Sequence, residues 1–589
     1  MEVKEKTVNR KSFKRRTIME LIMVLAIIIL VNYISSFYFK RFDLTIEKRF
    51  TLAPSTVQML KKLDDIVYVK VYLTGDLPVG FKRLENSIKE MLDEFRVYGG
   101  ENVQYEFINP SENPDKKSRE SIYRELYKNG LSPTNLQEKD NEGRTSQKII
   151  FPGAIIRYKG NDIPVDFLNS NISRTPEQNL NGSIEEIEFS LVTSIRKLKR
   201  EFGQRIAFIE GQGELPEEYV ADITMSLKEY YTVERVTIAG KLGSLSERVQ
   251  DSLDFRVRNK YELIIIAKPD SAFKEQDKYI IDQYLMYGGN ILWLIDPVSV
   301  DSFGLRSSSL ALIKDLNIEN DMLFKYGVRV NPNLVQDVQC AVIPVNTAVT
   351  GAQPQFTPAP WIYFPLLQPV SSHPIGRNVN LVFGQFVSSV DTVGDDPDIT
   401  KTALLTTSQN SRLMNAPIRI GLELINEKIE PRLFEKSNIS VAVLLEGKFK
   451  SIFNNRLTPE MYDSREIAFK DVSFPAKMVV IGDGEMIRNN VKKIGFNNEP
   501  FPLGYDRYTG ETFGNKEFLL NVINYMLDDS GFMNLRTREV KLRLLDRASL
   551  DESRTFWQII NTLFPVLMII IIGLFISYFR KRKYTKTAA

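Results

Sequence analysis

YELIIIAKPDSAFKEQDKYIIDQYLMYGGNILWLIDP, residues 261–297, holds one complete unit of an α/β fold. Its opening strand, YELIIIAKPD (261–270), is an uninterrupted apolar run, the composition of a strand covered on both faces inside a parallel sheet. The helix that follows ends on Gly288–Gly289, a C-terminal stop, and ILWLIDP supplies the next strand. The same alternation extends outward. Upstream, RIAFIEGQGELP (205–216) is a buried strand ending in a Gly-rich turn, followed by a helix over Glu217–Tyr230 and the strand TVERVTI. Downstream, ISVAVLLEGKF (439–449), KMVVIGDGEMI (477–487) and the helix NKEFLLNVINYML (515–527) restore the texture. Strand and helix alternating at this spacing predict a doubly wound α/β domain over 203–530. Within it, seven prolines between Pro344 and Pro374 predict an irregular insertion near 341–438 without long helices or central strands.

The stretch before it, 42–200, reads as a second α/β unit. A helix over Thr56–Leu63 precedes the strand IVYVKVYL (66–73). The helix FKRLENSIKEMLDEF follows, and VQYEFIN (103–109) is again a strand. A charged helix near 114–128, two strand candidates (KIIFPGAIIRY and DIPVDFL) and a long helix complete it. Ser183 and Glu186 have the spacing of a capping box for that last helix, whose stripe is Ile184, Ile187, Leu191, Ile195 and Leu198. The order of elements is thioredoxin-like. Without a Cys-x-x-Cys the unit has no thiol redox chemistry.

Two apolar segments flank this body. LIMVLAIIILVNYISSFYF (Leu21–Phe39) carries no charge and spans about 28 Å as a helix, enough for a hydrocarbon core. Bulky residues follow it instead of a cleavage site, so it reads as an uncleaved signal anchor, the span being 18–39. IINTLFPVLMIIIIGLFISYF (Ile559–Phe579) precedes RKRK and has Trp557 at its interface, with Pro565 and Gly573 inside (span 557–579). Basic tails, 1–17 and 580–589, lie outside the two spans, with a charged amphipathic juxtamembrane segment over 531–556. The positive-inside rule then places both termini in the cytoplasm and the body on the far side.

Residues 1–41 carry +6 and the last ten +5, which leaves 42–579 at −8 despite a net charge of +3. An acidic body lacks the electrostatic term that binds nucleic acid. At 589 residues the chain is long enough for three or four folding units. One cysteine, Cys340, excludes an intramolecular disulfide, zinc-finger or iron–sulfur framework, and one histidine, His373, excludes a multi-His metal site. The two Gly-x-Gly turns, GQGE (211–214) and GDGE (482–485), end strands where doubly wound sheets place ligands. Neither completes a dinucleotide fingerprint, no Walker A sequence occurs, and plain tight turns are the simpler reading. Asp483 and Glu485 are the residues there that could bind something. Cys340 and His373 lack a nucleophile elbow and read as a small buried hydrophobe and as a structural or surface residue. The four aspartates of DTVGDDPD (391–398) lack EF-hand spacing and read as a solvated loop. Trp361, Tyr363 and Phe364 either present a partner surface or pack a loop onto the sheet.

Four stretches carry a family resemblance: RFDLTIEKRFTLAPST, VAVLLEGKFKSIFNNR (441–456), IGDGEMIRNN with PLGYDRYTGETFGNKEFLLNVINYMLDD (481–529), and LRTREVKLRLLD (535–546). Together they resemble the GldG family, the auxiliary, substrate-binding-like component of the bacterial gliding-motility ABC transporter. The resemblance implies an ABC permease subunit and a cytoplasmic ATPase subunit as partners, and a Bacteroidetes-type inner membrane. It also implies that the doubly wound unit is glutamine-amidotransferase-like. In those enzymes a nucleophilic Cys follows a Gly-Gly-then-strand element; here GGNILWLIDP (288–297) ends in Ile295–Asp296. The expected protein is therefore a non-enzymatic, two-pass inner-membrane subunit with a large periplasmic domain, and no catalytic, cofactor or metal site is assigned. Two spans are too few for a permease path, which favours a partnered subunit. The rival readings are a cell-envelope hydrolase of amidotransferase-like fold and a transporter-independent envelope sensor or scaffold.

Overall fold

The computed structural model describes residues 10–37, 51–537 and 553–585, with short gaps at 140–144, 170, 172–173, 200–202, 252–253, 302–304, 306–308, 347–352, 354, 427–429, 463, 465–466, 495–496 and 529–530. Residues up to Arg538 form one compact unit and Glu539–Ala589 another. Most of the expected juxtamembrane segment, 538–552, lies outside the described residues.

The helices are α1 (Arg10–Phe37), α2 (Pro54–Lys61), α3 (Val79–Gly99), α4 (Lys116–Lys128), α5 (Pro176–Lys199), α6 (Ala221–Lys228), α7 (Glu275–Met286), α8 (Asn515–Met526) and α9 (Arg554–Thr585). In the N-terminal layer, β1 (Val67–Val71), β2 (Val103–Phe107), β3 (Gly153–Tyr158) and β4 (Asn161–Asp166) form a sheet in the order β2-β1-β3-β4. β1 and β2 are parallel and the other neighbours antiparallel. Val67, Val69 and Val71 alternate onto the buried face. Of the helices, α3 (buried Leu84, Ile88, Leu92 and Phe95) packs on β2 and on α5, and α5 (buried Ile187, Leu191 and Ile195) packs on β3 and β4.

The expected cap of α5 is wrong. Ser183 lies inside the helix, where its hydroxyl donates to the Asn179 carbonyl at 2.8 Å and accepts from the Asn169 N–H. The chain enters α5 at Pro176. Thr175 N–H donates to Gln178 Oε1 (2.9 Å), and Gln178 N–H returns a bond to Thr175 Oγ1 (3.3 Å). That reciprocal pair is a capping box, and Pro176 needs no partner for its nitrogen at the first helical position.

The large sheet takes β5 (Arg205–Glu210), β6 (Thr232–Thr237), β7 (Leu263–Ala267), β8 (Asn290–Leu294), β9 (Cys340–Asn346), β10 (Phe356–Pro369), β11 (Ile399–Thr406), β12 (Ser440–Gly447) and β13 (Ala476–Ile481). Their order is β9-β10-β11-β12-β13-β8-β7-β5-β6, and the two-residue strand Val382–Phe383 pairs with β10 as a tenth. From β6 to β13 every neighbour is parallel; from β13 to β9 every neighbour is antiparallel. All five residues of β7 are buried. One face of the sheet packs Ile206, Ile265, Leu292 and Val479 against α6 and α8; the other packs Ile264, Ile291, Trp293 and Val480 against α7. Both faces are covered, which is why these strands read as continuous apolar runs. α7 closes with Gly288 at φ +83°. Gly288 N–H bonds the Leu285 carbonyl and Gly289 N–H the Tyr284 carbonyl, a Schellman stop.

The region expected to be irregular is instead rich in strands. β10 runs for 14 residues through Pro358, Pro360, Pro365 and Pro369. The register explains how. Pro344 stands opposite Pro358 and Val342 opposite Pro360. Two prolines cannot exchange N–H bonds, so these are the non-hydrogen-bonded pairs of the ladder, and each proline nitrogen faces away from its partner strand.

Among the described residues one helix is long and apolar enough to cross a membrane, Arg554–Phe579 within α9, which is continuous through Pro565. α1 has 28 residues, but its apolar stretch, Leu21–Tyr33, is shorter than the expected span and reaches about 20 Å.

Candidate functional site

The five parallel strands deliver the loops that follow them to one carboxyl edge, where sheets of this kind hold their chemistry. Strand order reverses between β5 and β7. The turn after β5 folds across that point. The Gln212 carbonyl accepts the N–H groups of Asp270 (2.8 Å) and Ser271 (2.9 Å), and Leu215 N–H reaches the Ala267 carbonyl (3.0 Å). Gly213, at φ +78°, permits this crossing; a Cβ there would stand 3.0 Å from Asp270 Cβ.

The second turn, after β13, meets the ends of β7 and β8. Lys268 follows β7 in the left-handed region at φ +56°, unusual for a residue with a long side chain. Its ammonium pairs with Glu485 and lies 3.5 Å from Asp296 Oδ2, the residue two beyond β8. Asp296 Oδ1 also accepts the Gly484 N–H, and Arg488 holds Glu485 at 3.1 Å. Asp483 is fully buried and accepts from Gln385 N–H (3.0 Å) and Glu485 N–H (2.8 Å). Burial first, and then the neighbouring Asp296, pushes the Asp483 carboxyl well above the usual carboxylate range; burial likewise raises Asp296, against the opposing charge of Lys268. Burial pushes Glu485 upward too, but Lys268 and Arg488 outweigh it and leave this carboxyl below its ordinary value. Asp483 and Glu485, the candidates for binding, are thus spent on internal partners. Charges end three consecutive apolar strands, in AKPD, LIDP and GDGE. That pattern is the signal by which Lys268, Asp296 and Arg488 could have been found beside them.

The remaining candidates are structural. Cys340 is half-buried on β9, opposite Pro365. Burial and then the charge of Asp337 push its thiol up to about 11, the reverse of an activated nucleophile. His373 has different neighbours: its ring packs edge-on against Tyr525 at 4.9 Å, and burial lowers its pKa. In the acidic loop, Asp396 pairs with Lys450 at 2.9 Å, and Lys401 donates to the Val393 and Gly394 carbonyls. Asp391 accepts from Asn331 at 2.7 Å; Asp398 donates its N–H to Asp396, and Asp395 has no role in the loop's contacts that we assign. Trp361 and Tyr363 are buried, with ring centroids 5.6 Å apart, and Phe364 packs on Phe383 and Phe386. These aromatics pack the strand onto its core.

The family described as an ABC-type uncharacterized transport system, an auxiliary family, matches residues 203–522, more than half of the chain. The chain belongs to this ABC transport auxiliary family. The protein therefore has an auxiliary, transporter-associated role, and with its apolar C-terminal helix it is membrane-associated. The matched region of this ABC transport auxiliary protein runs from β5 into α8 and contains the whole closed edge. Residues 46–157 match a domain of unknown function, DUF7088. No curated protein matches the chain significantly. Among solved structures, the mmIFT52 N-terminal domain aligns over 55% of this chain and 99% of its own at 15% identity, with a TM-score of 0.29.

Proposed function

We propose that the protein is a non-enzymatic subunit of an ABC-type complex of the gliding-motility kind, tethered in a bacterial inner membrane by α1 and α9. Both termini face the cytoplasm and the body is periplasmic. The observation that carries the non-enzymatic reading is the closed carboxyl edge. Its turn residues bond to one another, and its charges are paired as Lys268 with Glu485 and Asp296. The β2-β1-β3-β4 order supports a thioredoxin-like N-terminal unit, and the parallel half of the large sheet supports an amidotransferase-like scaffold. Asp296 stands near where such an enzyme would carry its cysteine. ATP hydrolysis and the transport path then belong to separate ATPase and permease subunits, since the sequence lacks a P-loop.

Purification of the full-length chain in detergent, followed by mass spectrometry of co-eluting proteins, tests the reading. An ABC permease and its ATPase should co-elute, and deletion of the gene should abolish gliding. A preparation free of ABC components, from cells that glide normally without the gene, would overturn it.

A further inference from the structure

The N-terminal layer and the large-sheet domain meet through polar groups. Asn171 Nδ2 donates to the Val379 carbonyl (2.9 Å) and Asn169 Nδ2 to the Asn378 carbonyl (3.1 Å). Arg174 pairs with the Asn378 side chain, and Arg377 meets Glu185 at 3.0 Å. Polar contacts between parts of one chain resemble transient interfaces, across which relative motion is the ordinary expectation.

One group in this seam differs from the others. Arg536 sits on a short 3-10 helix, Phe532–Thr537, and its side chain is only 2% exposed. Its Nη2 lies 2.7 Å from Glu186 Oε1 and 3.1 Å from Glu517 Oε1, and its guanidinium lies 5.1 Å from the centroid of the Phe189 ring. Glu186 and Phe189 belong to α5 of the N-terminal layer, and Glu517 belongs to α8 of the sheet domain. A single buried cation is therefore shared by carboxylates from both sides. With the cation withdrawn, two carboxylates that now share it would repel each other, so the same displacement that breaks the contact also drives the surfaces apart.

We propose that Phe532–Thr537 is a latch with Arg536 as its pin: seated, it holds the N-terminal layer against the sheet domain; withdrawn, it frees the layer to move. This goes beyond the auxiliary reading and does not depend on it.

The test uses the full-length protein in detergent on a Cys340→Ser background. Spin labels at Tyr127→Cys on α4 and Tyr508→Cys on the sheet domain, both exposed positions, report the separation of the two parts. Arg536→Met should add a second, longer population to a single narrow distance distribution, and Arg536→Lys should give less of it. Hydrogen exchange is read in parallel. Seam amides of residues 169, 171 and 377–379 should exchange at least tenfold faster in Arg536→Met, while β7 amides (Leu263–Ala267) stay as slow as in the parent. Glu517→Gln leaves Glu186 in place as a partner and should show a weaker form of the same pattern, which covers the case of an Arg536 variant that fails to fold. An unchanged distance distribution, or seam and β7 amides accelerating together as in plain destabilisation, overturns the proposal.

Discussion

Removing the ammonium of Lys268 tests the closed edge most directly. In Lys268→Met the aliphatic stem is kept while Glu485 and Asp296 lose their shared cation. The side chain of Lys268 is 24% exposed and those of Asp296 and Glu485 are 11% and 15% exposed, so the site is largely shielded from water. Breaking a fully buried pair costs about 3–5 kcal/mol. Arg488 still neutralises part of Glu485, and the remaining exposure screens the rest, so we expect a loss of about 2–4 kcal/mol at neutral pH. The pH dependence carries a distinct sign. In the parent, Glu485 is held below its ordinary pKa, so its contribution is present above the unfolded value of about 4.3 and fades as pH falls through the lower folded value. In the variant, burial acts without Lys268 and raises that carboxyl, which then penalises the folded state at neutral pH and is relieved by protonation on acidification. The gap between parent and variant should therefore be widest near pH 7 and narrow as pH falls toward 4.5. Urea unfolding of the full-length protein in detergent, followed through the buried Trp293 on the adjacent strand, measures it. A loss below about 1 kcal/mol, or a gap that stays constant between pH 7 and 4.5, would refute the assignment of this cluster as the closure of the edge.

Two further outcomes follow from local geometry. Gly447 ends β12 at φ +147°, and a Cβ there would lie 1.9 Å from the Asp398 carbonyl oxygen; Gly447→Ala should cost about 3 kcal/mol or more, read as a lowered thermal midpoint. The Cys340 thiol, raised to about 11 chiefly by burial, should be alkylated by iodoacetamide at pH 7.4 roughly a hundredfold more slowly in the folded protein than in urea, and Cys340→Ser should retain full association with the transporter; a fast-reacting thiol would reopen a nucleophilic role.

The parallel half of the large sheet was legible because its strands are covered on both faces. LIIIA, ILWL and MVVI carry no polar residue and stand out as apolar runs. The Pro-rich ribbon was not legible, because proline counts say nothing about register, and only the pairing of Pro344 with Pro358 shows how the prolines avoid the ladder. The start of α5 was misplaced because two Ser/Thr-x-x-Glu/Gln signals occur eight residues apart. Thr175–Gln178 forms the cap with Pro176 at the first helical position, and Ser183 is accommodated inside the helix by turning its hydroxyl back onto the Asn179 carbonyl. Asp483 and Glu485 could be singled out from their turn, and the charges ending the apolar strands mark Lys268 and Asp296, but which of these side chains meet was not legible. Lys268 lies 217 residues from Glu485, and Arg536 lies 350 from Glu186, distances over which no local pattern operates.

Those long separations bear on how the sheet finds its order. β7, β8 and β13 are short apolar strands of nearly interchangeable composition, and a sheet assembled from them by hydrophobic burial alone would tolerate exchange of neighbours at small cost. Their following residues are not interchangeable. β7 is followed by Lys268, β8 leads to Asp296, and β13 to Asp483 and Glu485, so the native order β7-β8-β13 brings one cation onto two carboxylates. Exchanging β7 with the neighbouring apolar strand β5 would move Lys268 one strand further from both Asp296 and Glu485 and leave those carboxylates without it in a site where desolvation is costly. Buried ion pairs add little net stability over well-packed apolar residues, but they penalise the wrong arrangement strongly. On this reading the charges at the carboxyl edge are kept for specifying strand order.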